Sequence, residues 1–582
     1  MNIIVCGTLK LCCIGLTYTR IKVRFSKVHN QFGANCVIVS VLIISYAILC
    51  CFNRQSMGKL LWYVLAIFAL PCLSEGAKIL LVFPFPSRSH NILGEGFNRI
   101  LLKAGHEVTY ITPFPKKDAP SNLHYVDVSG NLDSFPAHLS NLKSVIDKEI
   151  SPNNIKEFFL FLTNLSKITF ENVNVQKLIN DPNQKFDLVI VEWMFSEIYA
   201  GLAAIYDCPY IWFSSVEPHW IVLSLIDEAL NPAYNPDCIS SNIPPFNFLQ
   251  RVEELGKQVV MSFLRNVYLL PYERNDYSTI FGPIMARKGQ HLPSFDDMRF
   301  NASLMFGNSH VSFGKATRLP QNFIPIGGYH IDPDVKPLPQ DLKKLMDDAN
   351  NGVVYFSMGS NLKSKDLPEK IKRSLLTMFG GLKYTVIWKF EEQLNDVPKN
   401  VHILQWAPQP SILAHPNCKV FVTHGGLLST TEAIHFGMPT IGIPVLADQN
   451  TNVELSVKRG YALKVGLDYE MADNLKVAIE EIVSNPKYKE KVMQLNFVYH
   501  DRPVPPETEV AHWVNHVIRT NGAPHLRSAA LMVSWYQKMY LDLLALVFFV
   551  IYVFVKICKK VCCSRKQVEK VTKKVGKGKK NK

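Results

Sequence analysis

The stretch that most restricts this chain runs from Phe421 to Asn452, FVTHGGLLSTTEAIHFGMPTIGIPVLADQNTN. Lys419 to Thr423 is mostly β-branched and aromatic, an apolar run that predicts a buried parallel strand. His424, Gly425 and Gly426 then form a turn of little bulk, and Ser429 to His435 predict a short helix closed by Gly437 and Met438-Pro439. A strand ending in a glycine turn at a helix start aims free backbone N–H groups and the positive helix end at one point, which favours an anion such as a diphosphate. Ser429 and Glu432 also have a competing use, because Ser-x-x-Glu is a capping box whose side chains can serve helix N–H groups alone.

The 582 residues exceed one ordinary core, and with 48% hydrophobic residues the expectation is two globular domains. The net charge of +14 would suggest nucleic acid if it were spread over the body. It is not: residues 556–582 carry +11 and residues 1–56 carry +6, leaving −3 for the rest, so nucleic acid is excluded as a partner. Of thirteen cysteines only Cys208, Cys238 and Cys418 lie in the body, without a CxxC pair, so no zinc site is implied; a Cys208 to Cys238 bridge stays open.

Leu60 to Leu73, behind Met57-Gly58-Lys59 and ahead of Ser74-Glu75-Gly76, has the form of a signal peptide spanning 57–76, with residues 1–56 read as an upstream extension; an uncleaved anchor at the apolar run Cys36 to Phe52 stays open. Lys78 to Phe83 predicts a strand, Pro84 to His90 a loop and Asn91 to Ala104 a helix, with Val108 to Ile111 the next strand; this βαβ unit opens a doubly wound sheet. Phe186 to Val191 predicts another buried strand with Glu192 at its carboxyl end. Residues 217–300 mix apolar helices with Pro-rich breaks, and the prolines and glycines from Ile324 to Pro339 mark a linker. Asp332-Pro-Asp334, set between prolines there, reads as a turn and not as a metal ligand pair.

Val353 to Phe356 starts a second set of strands, with Met358-Gly359-Ser360 a further candidate phosphate turn and Trp388-Lys389 after a later strand. Leu543 to Ile557 is apolar enough for a membrane span, taken as 541–557, and its basic flank puts the tail 558–582 in the cytosol. Asn164 and Asn301 head glycosylation sequons.

Trp406, Gln409, His424-Gly425-Gly426, Glu432, Pro439, Pro444 and Asp448-Gln449, in this order and spacing, resemble the donor signature of the UDP-glycosyltransferases, and the resemblance runs from about Ala77 to the C-terminus. It implies a GT-B arrangement: two α/β, Rossmann-like, doubly wound domains facing across a cleft, with a C-terminal transmembrane helix. An acceptor-binding domain would span 77–330 and a UDP-sugar-binding domain 345–520. SRSHNILGEGFNRILLKAGHEV resembles the family's N-terminal segment and implies that His90 is the catalytic base. Glu192 stands where the family usually has an Asp that orients this His. The donor would be held by Ser360, Lys389 (often Arg in the family), Trp406 stacked on uracil, Gln409, His424, Gly425, Gly426, Ser429, Glu432, Asp448 and Gln449.

The resemblance thus implies inverting transfer of a hexose, glucose by its closeness to invertebrate members, from a UDP-sugar to a hydroxyl of a small lipophilic acceptor in detoxification-type conjugation. UDP-sugar is a co-substrate and no cofactor or metal is expected. Lys579 and Lys580 resemble a dilysine retrieval signal, which implies a single-pass protein of the endoplasmic reticulum membrane with a lumenal body. A homo-oligomer stays open, as does a catalytically silent protein that binds UDP-sugar or a lipophile.

Overall fold

The computed structural model describes residues 76–136, 142–147, 155–237, 240–312 and 317–578. The segment expected to be a signal peptide (all but its last residue), residues 1–56, Cys238 and the Lys579-Lys580 pair lie outside the described residues. Cys208 is a free thiol, so no bridge closes on it.

Seven parallel strands form the first sheet: β1 (Lys78–Val82), β2 (Glu107–Thr112), β3 (Leu123–Asp127), β4 (Leu188–Trp193), β5 (Tyr210–Ser214), β6 (Met305–Gly307) and β7 (Phe323–Pro325), in the order β3-β2-β1-β4-β5-β6-β7. Along the central strands the side chains alternate between two cores. Leu80, Val82, Val189 and Val191 enter one, and Ile79, Leu81, Leu188 and Ile190 the other. Helices cover both faces, which is why these strands read as unbroken apolar runs. The second sheet has six parallel strands, β8 (Val353–Ser357), β9 (Thr385–Lys389), β10 (Val401–Leu404), β11 (Cys418–Thr423), β12 (Thr440–Gly442) and β13 (Ala462–Lys464), in the order β10-β9-β8-β11-β12-β13.

The helices that matter below are α1 (Arg88–Lys103), α2 (Ile155–Glu171), α3 (Phe248–Leu264), α4 (Leu270–Arg287) and α5 (Phe295–Arg299) in the first half. In the second they are α6 (Glu369–Gly380), α7 (Leu427–His435), α8 (Gln449–Lys458), α9 (Met471–Ser484) and α10 (Lys487–His500). Then α11 (Pro506–Arg519) crosses back: Val510, Val514 and Val517, at helical spacing, join the core of Ile79 and Leu81. The final helix, α12 (Leu541–Gly578), contains the one candidate membrane span among the described residues, Leu541–Lys573, with a mean hydropathy of 2.5 in its most apolar window.

Two local expectations need correction. Helix α1 begins at Arg88, so His90 sits in its first turn and not in a loop. Helix α7 begins at Leu427, so Ser429 and Glu432 lie inside it; Gly426 is the N-cap and no side chain caps the helix, which removes the capping-box reading. The basic segment after Ile557 continues as helix through Gly578. Between the halves, the Asp334 N–H donates to Asp332 Oδ1 at 3.2 Å, the turn expected of that sequence.

Contacts from loop to loop hold the two halves in register. The Ser87 hydroxyl, just beyond β1, donates to Asn361 Oδ1 just beyond β8 at 2.7 Å, and Thr451 Oγ1 on α8 donates to the Ser240 carbonyl at 2.5 Å. Arg502 reaches the Gly327 carbonyl at 2.8 Å. The carboxyl ends of β1 and β4 therefore face those of β8 and β11. In each sheet these neighbouring strands flank the point where strand order reverses, the usual ligand crevice of an open α/β sheet.

Candidate active site

His90 and Glu192 are 102 residues apart in sequence and meet at the first switch point, with His90 Nδ1 2.5 Å from Glu192 Oε1. The strand places Glu192 one residue before the end of β4, its side chain wholly buried, while the His90 side chain is 14% exposed and keeps access to the cleft. Phe85 packs on the imidazole with ring centroids 4.4 Å apart. With Nδ1 taken by the carboxylate, Nε2 is the ring nitrogen left for a ligand. Behind the pair a small cavity is lined by Phe85, Leu162, Met194 and Tyr199, and Glu192 Oε2 is buried there without a hydrogen-bond partner among the described residues. Phe195, three residues past Glu192, has a φ of 56°, a strained geometry for a phenylalanine where the chain leaves the strand.

At the second switch point two glycine turns lie against each other. Gly359 and Gly425 both have φ of +80°; a Cβ on Gly359 would stand 2.6 Å from His424 Cε1, and one on Gly425 would stand 2.3 Å from Val453 Cγ2. Only glycine fits either place. Ser360 follows the first of these turns and is half-buried. His424 is half-buried, and desolvation with help from the nearby Lys389 charge pushes its pKa down to about 4, so the imidazole is neutral at pH 7.

Trp406 leaves its ring 56% exposed beside these turns. Gln409 Nε2 donates to Glu432 Oε2 at 2.6 Å and reaches Ser429 Oγ at 3.4 Å, while the Tyr355 hydroxyl donates to Gln409 Oε1 at 3.1 Å. Burial pushes the Glu432 carboxyl up to about 7, partly offset by Gln409. Asp448, at the start of α8, accepts from Asn452 Nδ2 at 2.8 Å. Burial raises its pKa, against the pull of Asn452 and of His90, which faces it across the cleft. The structure thus brings Ser360, Lys389, Trp406, Gln409, His424, Gly425, Gly426, Ser429, Glu432, Asp448 and Gln449 to one edge of the second sheet.

Two of these side chains are already engaged. Lys389 Nζ donates to the Gly359 carbonyl at 2.8 Å and pairs with Glu391 at 2.6 Å, so it braces the turn. Gln449 Oε1 accepts from the backbone N–H groups of Val445 and Leu446 at 2.9 and 3.0 Å, capping its own loop.

Three site neighbours escaped the sequence reading. Ser87 and Asn361 latch the halves, and the Arg88 guanidinium lies over the Trp406 ring at 5.5 Å. Ser87 and Arg88 lie three and two residues before His90 in the chain, and that proximity is the signal that could have found them. Of the two sequons, Asn164 is exposed on α2 but its Ser166 is buried, donating to the Leu162 carbonyl at 3.2 Å. Asn301 is exposed and accepts from Arg527.

Two doubly wound parallel sheets whose carboxyl ends face each other, with a glycine turn and helix start at the second switch point, define a GT-B glycosyltransferase. The fold is similar to that of CalG4, the calicheamicin glycosyltransferase, with a TM-score of 0.50 over 76% of this chain and 98% of that one at 16% identity, a likeness of fold alone. The family model described as UDP-glucoronosyl and UDP-glucosyl transferase matches residues 78–577, and the chain belongs to that family. It is 33% identical over 506 residues to UDP-glucosyltransferase 2 of Dactylopius coccus, covering 86% of this chain and 95% of that protein. Against UDP-glucuronosyltransferase 2B15 of Homo sapiens it is 28% identical over 542 residues, covering 88% and 98%. The protein is an enzyme that transfers a sugar from a UDP-sugar.

Proposed function

We propose that the enzyme transfers glucose from UDP-glucose to a hydroxyl of a small lipophilic acceptor, with inversion, as a detoxification-type conjugation. The observation that carries this reading is the 2.5 Å contact between His90 Nδ1 and Glu192 Oε1, in the first half and facing Asp448 of the second. His90 Nε2 takes the acceptor proton as the oxygen attacks the anomeric carbon, and Glu192 holds the tautomer and stabilises the imidazolium that forms. Attack from the first half, opposite a diphosphate held by the second, inverts the anomeric centre.

In the donor half, between about 345 and 520, Trp406 stacks on uracil and the Gln409–Glu432 pair meets the ribose. The free N–H groups at the start of α7, beside His424, Gly425, Gly426 and Ser360, stabilise the departing diphosphate. The acceptor half is 77–330. Asp448 and the Nε2 amide of Gln449, whose Oε1 is committed to its own loop, meet the hexose hydroxyls. Glucose is favoured over glucuronate by the name of the Dactylopius relative and its higher identity. A silent binding protein was suggested by Glu in place of the usual Asp; the close contact with His90 supports the active reading instead.

We further assign α12 as a single membrane span in the endoplasmic reticulum, with the body and glycans at Asn164 and Asn301 lumenal and the tail cytosolic. The deciding experiment is a panel of UDP-sugars against mixed phenols in microsomes that contain the enzyme. UDP-glucose should give product; turnover with UDP-glucuronate alone would overturn the donor assignment.

A further inference from the structure

We infer that the outer face of α3 rests on the lipid bilayer that α12 crosses, so that the acceptor half meets the membrane a second time, away from the anchor. This rests on the reading of α12 as a span.

Helix α3 is built inside out. Phe248, Val252, Leu255, Val259 and Phe263 recur every three or four residues on one side, and each is more than half exposed. The single buried residue of the helix is Glu254. That carboxylate faces inward and accepts from the Asp237 N–H at 2.8 Å, from Asn242 Nδ2 at 2.7 Å and from the Ser240 hydroxyl, with Lys257 at 3.4 Å. A helix on a water-facing surface has the opposite arrangement, and an apolar stripe four turns long in water marks an interaction surface.

The stripe continues past α3. A π-helical turn at Arg265–Leu269 sends Arg265 inward to Glu197, with contacts of 2.6 and 2.8 Å, and leaves Val267 and Tyr268 outside, followed by Tyr272 on α4.

Continuity with the anchor identifies the occupant. Ser528 donates to Asp227, and Arg527 to the Phe300 carbonyl and Asn301, so the chain is docked on the acceptor half thirteen residues before Leu541. Even fully extended, that tether spans at most about 45 Å. Phe300 follows α5, whose Asp296 pairs with Arg274 of α4 at 2.8 Å, so the tether and the end of the stripe share one neighbour. Trp535 and Tyr540, exposed between tether and span, are residues suited to the membrane–water boundary. At its other end α3 starts near the mouth of the cleft, where Lys458 of α8 donates to the Pro244 carbonyl at 3.0 Å. A bilayer along the stripe therefore reaches from the anchor to the cleft, and an acceptor dissolved in lipid can enter without crossing water.

The test uses the full chain in phosphatidylcholine nanodiscs, with the three cysteines of α12 replaced (Cys558→Ser, Cys562→Ser, Cys563→Ser) and one nitroxide placed at Val259→Cys, at Asn474→Cys on α9 or at Ile551→Cys in the span. The parent without an added cysteine sets the background. Relaxation by oxygen should exceed that by a water-soluble nickel chelate at positions 259 and 551, with the reverse at 474. If position 259 behaves like 474 while 551 is lipid-immersed, the inference falls and the anchor stands; if 551 is also wet, the anchor reading fails and takes the inference with it. Spin–spin broadening at 259 without lipid contact would assign the stripe to a second copy and also overturn it. In turnover, Val252→Lys with Val259→Lys should raise KM several-fold for an acceptor delivered in vesicles and leave KM for UDP-sugar unchanged; an unchanged acceptor KM counts against lipid entry.

Discussion

Arg88, two residues before His90, lies with its guanidinium 5.5 Å from the centre of the Trp406 ring, joining the first half of the molecule to an exposed aromatic of the second. A cation over an exposed aromatic contributes about 0.5–1 kcal/mol, whereas a base stacked on an aromatic contributes about 1–3 kcal/mol. Trp406→Ala is therefore expected to weaken UDP binding more than Arg88→Ala. Titration calorimetry with UDP ranks the two, and equal, near-zero effects would remove Trp406 from the donor site.

His90→Ala should lower kcat by at least about 100-fold while UDP affinity stays near wild type, since a positioned imidazole contributes about 10² to 10⁴ as general base. Glu192→Gln should lose most activity. Glu192→Asp should retain part of it, because the charge remains but the shorter side chain opens the 2.5 Å contact. Rates with a phenol acceptor across neutral pH decide the matter; a His90→Ala enzyme at wild-type rate would end the base assignment.

The pH dependence of donor binding follows from Glu432, which burial lifts from 4.5 to about 7. Between these values the folded, empty site holds a proton that the unfolded chain has released, so this group's contribution to stability falls as pH rises through about 7. Ribose hydroxyls donate to the carboxylate form, so binding expels the proton and UDP-glucose affinity should rise with pH up to about 7 and then level. Calorimetry of wild type and Glu432→Gln checks it: the variant should show no such rise.

Arg265 and Glu197 form a buried pair that fastens the turn between α3 and α4 to the core, with Arg299 a further 3.5 Å contact on Glu197. Arg265→Met should destabilise the first half by about 3–5 kcal/mol, the usual cost of stripping one partner from a buried pair. Thermal unfolding in detergent reports this as a lowered midpoint, and an unchanged midpoint would show that Arg299 suffices.

Replacing Lys579 and Lys580 by Ser should let the protein spread beyond the endoplasmic reticulum without changing activity per molecule. Imaging and turnover on the same cells test this, and unchanged retention rules out the dilysine signal.

The sequence by itself determined what depends on neighbours along the chain. Strands buried on both faces are written as continuous apolar runs, so Lys78–Val82, Leu188–Trp193, Val353–Ser357 and Cys418–Thr423 could be read without a structure. The turn at His424 to Gly426 was equally legible, because its geometry is local. Helix starts were not: α1 and α7 begin two or three residues early, since propensity leaves fraying ends undetermined and packing settles them.

Only the tertiary structure decided which groups meet. Nothing in the chain near Glu192 says that its longer side chain reaches His90, 102 residues away, because that contact depends on β1 pairing with β4. Lys389 and Gln449 lie where the donor motif puts them, but Glu391 engages the Lys389 ammonium and a backbone loop engages Gln449 Oε1, a competition that spacing does not record. The apolar period of α3 is plain in the sequence as well. Which side faces out is not, because a 3.6-residue repeat has no inside or outside until Glu254 finds its partners on the body of the domain and turns the apolar stripe away from it.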